Sequence, residues 1–172
     1  INKIRFDPTN PREDDIDIRD IAHALSMMTR ANGHFTEFYS VARHSVNCAL
    51  EATARGYSKR VALFCLLHDS AESYIGDMTR PLKMHFPLFS EYEKKLQKVI
   101  FSKYATLDID DVEKEKVKSV DDSLLYHEFL CYHGDKLFDF TPEIHIDVKD
   151  NSKNISETEK EFLCMYEALK IK

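Results

Sequence analysis

Apolar residues recur at intervals of three and four positions through most of the 172-residue chain, which is the spacing of amphipathic helices. In the first such segment Ile18, Ile21 and Leu25 mark one face, and Gly33 follows as a stop signal. A later run, VALFCLL, is apolar on every side and predicts the central buried helix. The pattern predicts helices over 17–31, 38–55, 90–104, 110–132 and 156–170, and another after Ser58 through VALFCLLHDSAE.

Two segments lack this periodicity. Positions 1–14 are polar with two prolines and predict an irregular lead-in, and positions 134–154 predict a loop. Ser156 and Glu159 match a capping box that opens the last helix. Because no repeat and no series of strand patterns is present, the sequence predicts an all-α bundle of six or seven helices in a single domain, 1–172.

Composition and charge narrow the functional classes. At 172 residues the chain can bury roughly two-thirds of its unfolded surface, so it can support a core without metal or disulfide staples, and we expect a bound metal to serve chemistry. A formal charge of −6 disfavours a broad nucleic-acid-binding face, and we expect no duplex nucleic acid partner, although a local basic pocket is compatible with it. No apolar run is long enough to cross a membrane.

The four cysteines are widely separated and form no C-x-x-C pair. They are typical of small buried hydrophobic residues in a reducing compartment, and the start of the sequence has no signal-peptide arrangement. We therefore expect a cytoplasmic protein.

The chemistry suggested by the sequence centres on His68 and Asp69, at the end of the most apolar helix. Polar side chains in such a place need hydrogen bonds, charge partners or a metal. Other helices offer His44 and either Asp121 or Asp122 as partners. Two imidazoles and two carboxylates suit a divalent cation such as Mn²⁺, Co²⁺, Ni²⁺, Fe²⁺ or Zn²⁺, and Mg²⁺ less well. A cation held in this way suits metal-assisted phosphate hydrolysis.

The order H…HD…D, together with the stretch LLHDSAESYIGDMTRPLK, resembles the HD-domain phosphohydrolase superfamily. Within it, positions 16–128 are most similar to small bacterial and phage 5′-deoxynucleotidases and to relatives that cleave deoxynucleoside triphosphates. The resemblance implies an HD-domain helical bundle that holds one divalent cation through His44, His68, Asp69 and Asp121. It favours Asp121 over Asp122 as the fourth ligand.

The resemblance also implies roles for neighbouring residues. Glu72 resembles the carboxylate that orients water or transfers a proton, and Asp77 resembles a second acid near the leaving group. The residues implied to contact substrate are Arg30, Arg80, Lys83, Lys118 and Phe35. Each has an alternative: Glu72 would hydrogen-bond a ligating histidine, Asp77 would cap a short helix, and the basic residues would be solvated surface charges.

These expectations combine into one functional hypothesis. The chain is expected to hydrolyse deoxynucleoside 5′-monophosphates, a small-molecule nucleotide substrate, to deoxynucleoside and phosphate. Two alternatives are a deoxynucleoside triphosphate triphosphohydrolase with a longer and more basic phosphate channel, and a metal- or nucleotide-binding module without turnover. Because relatives in the superfamily are often dimers, we also expect a homodimer with an isologous contact.

Overall fold

The structure is a computed structural model that describes residues 5–105, 109–149 and 153–171. Eight α-helices lie in this part of the chain: α1 (Ile18–Met27), α2 (Val41–Ala54), α3 (Lys59–Leu67), α4 (Glu72–Ile75), α5 (Arg80–Lys83), α6 (Pro87–Ala105), α7 (Asp111–Tyr132) and α8 (Ile155–Leu169). Two 3-10 turns, Glu13–Asp15 and Arg30–Gly33, complete the helical elements. The described residues form no named strand, only one bridge between Thr29 and Ser40. The predicted all-α bundle is confirmed.

Side-chain caps fix where most of the long helices begin. The side chains of Asp17, Ser40 and Ser58 accept hydrogen bonds from the first turns of α1, α2 and α3. The last helix begins at Ile155 rather than at 156, because Asn154 and Glu157 form the capping box there. The box predicted at Ser156 was therefore placed two residues too late.

Helix α3 lies at the centre of the bundle and packs against α2, α6, α7 and α8. All seven residues from Val61 to Leu67 are buried, as the uniformly apolar run predicts. Because the helix ends at Leu67 inside this core, His68 and Asp69 emerge where α2 and α7 also lie close. The burial of α3 thus fixes the position of the HD dipeptide.

The first helix is shorter than predicted. It ends at Met27, and Ala31 and Asn32 both have φ of 50°, in the left-handed region that non-glycine residues seldom adopt. The backbone N–H of Arg30 donates to the Tyr39 carbonyl at 2.8 Å, which closes the turn onto the start of α2. This turn places the Arg30 side chain against the HD dipeptide.

The predicted loop after α7 is confirmed for residues 134–149, and positions 150–152 lie outside the described residues. Buried Glu51 accepts hydrogen bonds from the backbone and ring of His145, at 2.8 and 2.9 Å, and from Arg55 Nε at 2.7 Å. These hydrogen bonds hold the loop against α2. Within the described ranges, no helix has both the length and the apolar character needed to cross a bilayer.

Candidate metal centre

Four side chains from three helical segments converge on one point. His44 comes from the middle of α2, His68 and Asp69 from the turn after α3, and Asp121 from α7. His44 Nε2 lies 3.3 Å from His68 Nε2, 3.2 Å from Asp121 Oδ1 and 3.8 Å from Asp69 Oδ2. His68 Nε2 lies 3.3 Å from Asp69 Oδ2 and 3.7 Å from Asp121 Oδ1. The structure therefore brings together the four residues that the motif implies.

The spacing of these atoms fits a single cation. With metal–ligand bonds of about 2.1 Å, two ligand atoms lie about 3.0 Å apart at a right angle and about 3.4 Å apart at a tetrahedral angle. The distances from the two Nε2 atoms to each other and to the carboxylate oxygens run from 3.2 to 3.8 Å. The cluster thus needs only a small contraction to bind one ion.

The hydrogen bonds of the two rings aim their free lone pairs into the cluster. His44 Nδ1 donates to Glu128 Oε1 at 2.7 Å, and His68 Nδ1 donates to the Cys65 carbonyl at 2.7 Å. Because a carboxylate and a carbonyl are acceptors, each Nδ1 carries the proton and each Nε2 is left as a ligand atom. This is the usual arrangement of metal-binding histidines.

The electrostatics of the cluster also favour a cation. Burial disfavours a charged His68, but Asp69 and Asp121 raise the pKa of its ring well above the ordinary value. Burial acts against ionised Asp121 as well, yet the two histidines hold its pKa well below the ordinary value. The carboxylates are therefore anionic, and without a metal they favour protonated imidazole rings. A divalent ion would replace those protons and supply the positive charge itself.

A further candidate ligand, the thiol of Cys48, lies one helical turn from His44 on α2. Its Sγ is 3.5 Å from His44 Nε2, and the ligand atoms of His44, Cys48 and His68 all lie within 4.8 Å of one another. This His-Cys-His group could also hold a metal ion. Burial, followed by the charge of Asp121, raises the pKa of the Cys48 thiol well above its ordinary value, which disfavours the thiolate that binds metals.

Sequence reasoning missed Glu128, the carboxylate behind His44. Glu128 is fully buried and accepts hydrogen bonds from His44, from the Tyr39 hydroxyl at 3.0 Å and from Arg30 Nη2 at 3.4 Å. The spacing along the sequence could have indicated it. Glu128 follows Asp121 by seven residues, which is two turns of α7, so both residues lie on one face of the helix. Arg30 also lies 3.6 Å from Asp69 Oδ2 and so joins Glu128 to the cluster.

One side of the cluster opens into a cavity of about 410 Å³. Arg30, Asp69, Glu72, Asp77 and Lys83 line it, together with Asp121 and several apolar residues. Burial first, and then the charges of Asp69 and Asp77, raise the pKa of Glu72 to about 10. Its Oε2 is buried without a hydrogen-bond partner among the described residues. A protonated carboxyl beside the cluster is thus available to a ligand.

The remaining predicted substrate contacts lie in different places. Lys118 is ion-paired with Asp122 and lies outside this cavity. Phe35 is buried against Phe129 and Tyr132, with ring centroids 5.1 and 5.7 Å apart, so it packs in the core instead of lining the cavity. Arg80 belongs to α5, but its side chain lies outside the described part of the structure.

No protein-family model matches the chain. It is 40% identical over 92 residues to the uncharacterized protein YfdR of Escherichia coli (strain K12). This match covers 54% of this chain and 49% of YfdR. It is 44% identical over 84 residues to the uncharacterized protein RCAP_rcc00048 of Rhodobacter capsulatus. This match covers 46% of this chain and 42% of that protein. The chain thus spans about half the length of the curated relatives it matches, and neither name states an activity.

Proposed function

We propose that this chain is a metal-dependent phosphohydrolase of the HD type that releases phosphate from deoxynucleoside 5′-monophosphates. The observation that carries the proposal is the convergence of His44, His68, Asp69 and Asp121, with both imidazole Nδ1 atoms held by acceptors. These four residues would hold one divalent cation, such as Mn²⁺ or Co²⁺. When bound, the cation would polarise the phosphoryl oxygens and favour attack by water.

The residues around the cavity supply the other requirements of phosphate hydrolysis. Arg30 and Lys83 line it and would offer positive charge to the phosphoryl oxygens as charge shifts between them. Lys83 Nζ is paired with Glu93 Oε1 at 2.6 Å, so a phosphate would share this lysine with Glu93. Glu72, with its raised pKa, holds a proton that it can donate towards the leaving oxygen. Asp77 lies on the same cavity and its charge contributes to that raised pKa.

The size and walls of the cavity support a nucleoside monophosphate as the substrate. Its volume of about 410 Å³ falls in the range of small-molecule sites. Leu125, Phe129 and Leu137 are among its lining residues and offer apolar surface that suits a base or sugar. The likeness of the HD stretch to deoxynucleotidases supports the choice of deoxynucleoside 5′-monophosphates among phosphate esters.

The direct test is product analysis with the purified full chain. Deoxynucleoside monophosphates and triphosphates are incubated with Mn²⁺ or Co²⁺, and inorganic phosphate, triphosphate and nucleoside are quantified. The proposal expects nucleoside and phosphate in equal amounts from the monophosphate, abolished by chelator and by Glu72→Gln. Release of triphosphate instead indicates the triphosphohydrolase. Metal and nucleotide binding without any product indicates the binding module and contradicts the proposal.

A further inference from the structure

A second and larger cavity opens on the same cluster between α6 and α7. Its volume is about 670 Å³, and His68 and Asp121 form part of its lining. Asp121 also lines the cavity that holds Glu72, so two cavities meet at this one carboxylate. The proposed function places the nucleoside of a monophosphate in the cavity that holds Glu72. The second cavity would then be open to another ligand.

The lining of this second cavity, which we name the lysine groove, combines four cations with an apolar floor. Lys94 and Lys98 extend from α6, and Lys114 and Lys118 from α7. In each pair the residues are four positions apart, so both lie on one face of their helix, about 6 Å apart along the axis. Phe101, Ile109 and Val117 supply the apolar surface.

The two rows of lysines differ in how much charge they offer. Lys114 is paired with Asp111 at 2.8 Å, and Lys118 with Asp122, each on its own helix. The side chains of Lys94 and Lys98 are exposed on α6, and no ion pair is described for either of them. The wall formed by α6 therefore presents the stronger positive charge to a ligand.

We propose that the lysine groove binds a short single strand of nucleic acid beside the metal centre, as a ligand separate from the nucleotide whose phosphate lies there. Grooves that bind single strands combine cations for the phosphates with apolar or aromatic surface for the bases. A bare phosphate chain uses the cations but leaves the floor of Phe101, Ile109 and Val117 without a partner. The apolar floor therefore favours a strand, in which bases accompany the phosphates. This inference rests on the proposed function, since that function places the nucleoside monophosphate in the cavity that holds Glu72 and so leaves the lysine groove to another ligand.

The test is fluorescence anisotropy of a labelled hexadeoxythymidylate with the full chain as purified, at several salt concentrations, with the probe checked for integrity on a denaturing gel. We expect saturable binding that weakens as salt rises. The double variant Lys94→Ala/Lys98→Ala should bind the probe at least about tenfold more weakly at low salt. Because each lost phosphate contact lowers the slope of log affinity against log salt by about 0.7, the slope should fall by about 1.4. Lys149→Ala/Lys160→Ala removes two exposed charges elsewhere and should leave both quantities unchanged.

Competition separates the strand from a phosphate chain. Unlabelled hexadeoxythymidylate should displace the probe at much lower concentration than inorganic tripolyphosphate. Equal displacement by the two competitors, absence of binding, or equal losses in the two double variants would each overturn the proposal. Because Lys94 and Lys98 lie outside the Glu72 cavity, their replacement should leave phosphate release from a monophosphate unchanged. Failure of the lysine groove is therefore distinguishable from failure of the proposed function.

Discussion

Replacing Glu128 by glutamine tests whether the buried carboxylate behind His44 prepares the metal centre. Glu128 is fully buried and holds the His44 ring through a 2.7 Å hydrogen bond to Nδ1. Glutamine keeps an acceptor oxygen but removes the charge that makes the ring a better ligand. Loss of such a partner typically weakens metal binding 10- to 100-fold, or about 1.4–2.7 kcal/mol. Isothermal titration of the metal-free protein with Mn²⁺ or Co²⁺ measures the change.

The matched control is Glu51→Gln. Glu51 is equally buried, and it pairs with Arg55 and His145 rather than with the cluster. This control should therefore bind metal as the wild type does, and circular dichroism should show both variants folded. If Glu128→Gln binds metal within about twofold of wild type, or if Glu51→Gln loses as much affinity, then the carboxylate does not act through His44.

Two further predictions concern the cavity that holds Glu72. Because burial, Asp69 and Asp77 raise the pKa of Glu72 from 4.5 to about 10, the stabilisation that Glu72 gives the fold belongs to its protonated form. Thermal unfolding in chelator should show the wild type losing stability relative to Glu72→Gln as pH rises through that interval, and a difference that stays constant with pH would contradict this. Lys83→Ala should raise KM for a monophosphate about tenfold, the effect of losing one charge-assisted hydrogen bond. Lys118→Ala should leave KM unchanged because Lys118 lies outside that cavity, and equal effects would refute the assignment.

The helices and the buried centre of the fold could be predicted because they depend on periodicity. The VALFCLL run is apolar on all sides, and α3 packs against four other helices. The HD dipeptide could be singled out because it ends that helix, where isolated polar groups are costly. The set of four proposed ligands, with Asp121 rather than Asp122, came from the resemblance to the HD superfamily. The helices and the position of the dipeptide depend on local sequence, whereas the ligand set depends on the resemblance.

What could not be predicted depends on backbone geometry and on packing between distant segments. Ala31 carries no signal for φ of 50°, so the pattern extended the first helix past its true end and hid the turn that positions Arg30. Phe35 is close to Arg30 in sequence, but packing against Phe129 draws it into the core. Glu128 belongs to no motif, and its role emerges only when α2 and α7 bring it against His44.

The most direct test of the metal centre compares neighbouring aspartates on α7. Asp121 lies 3.2 Å from His44 Nε2, whereas Asp122 is paired with Lys118. Elemental analysis after metal loading should find one divalent ion per chain in the wild type, in Asp122→Asn and in Cys48→Ala, and a large loss in Asp121→Asn, with all variants folded by circular dichroism. Full metal occupancy in Asp121→Asn, or loss of the ion in Cys48→Ala, would contradict the ligand set of two histidines and two aspartates.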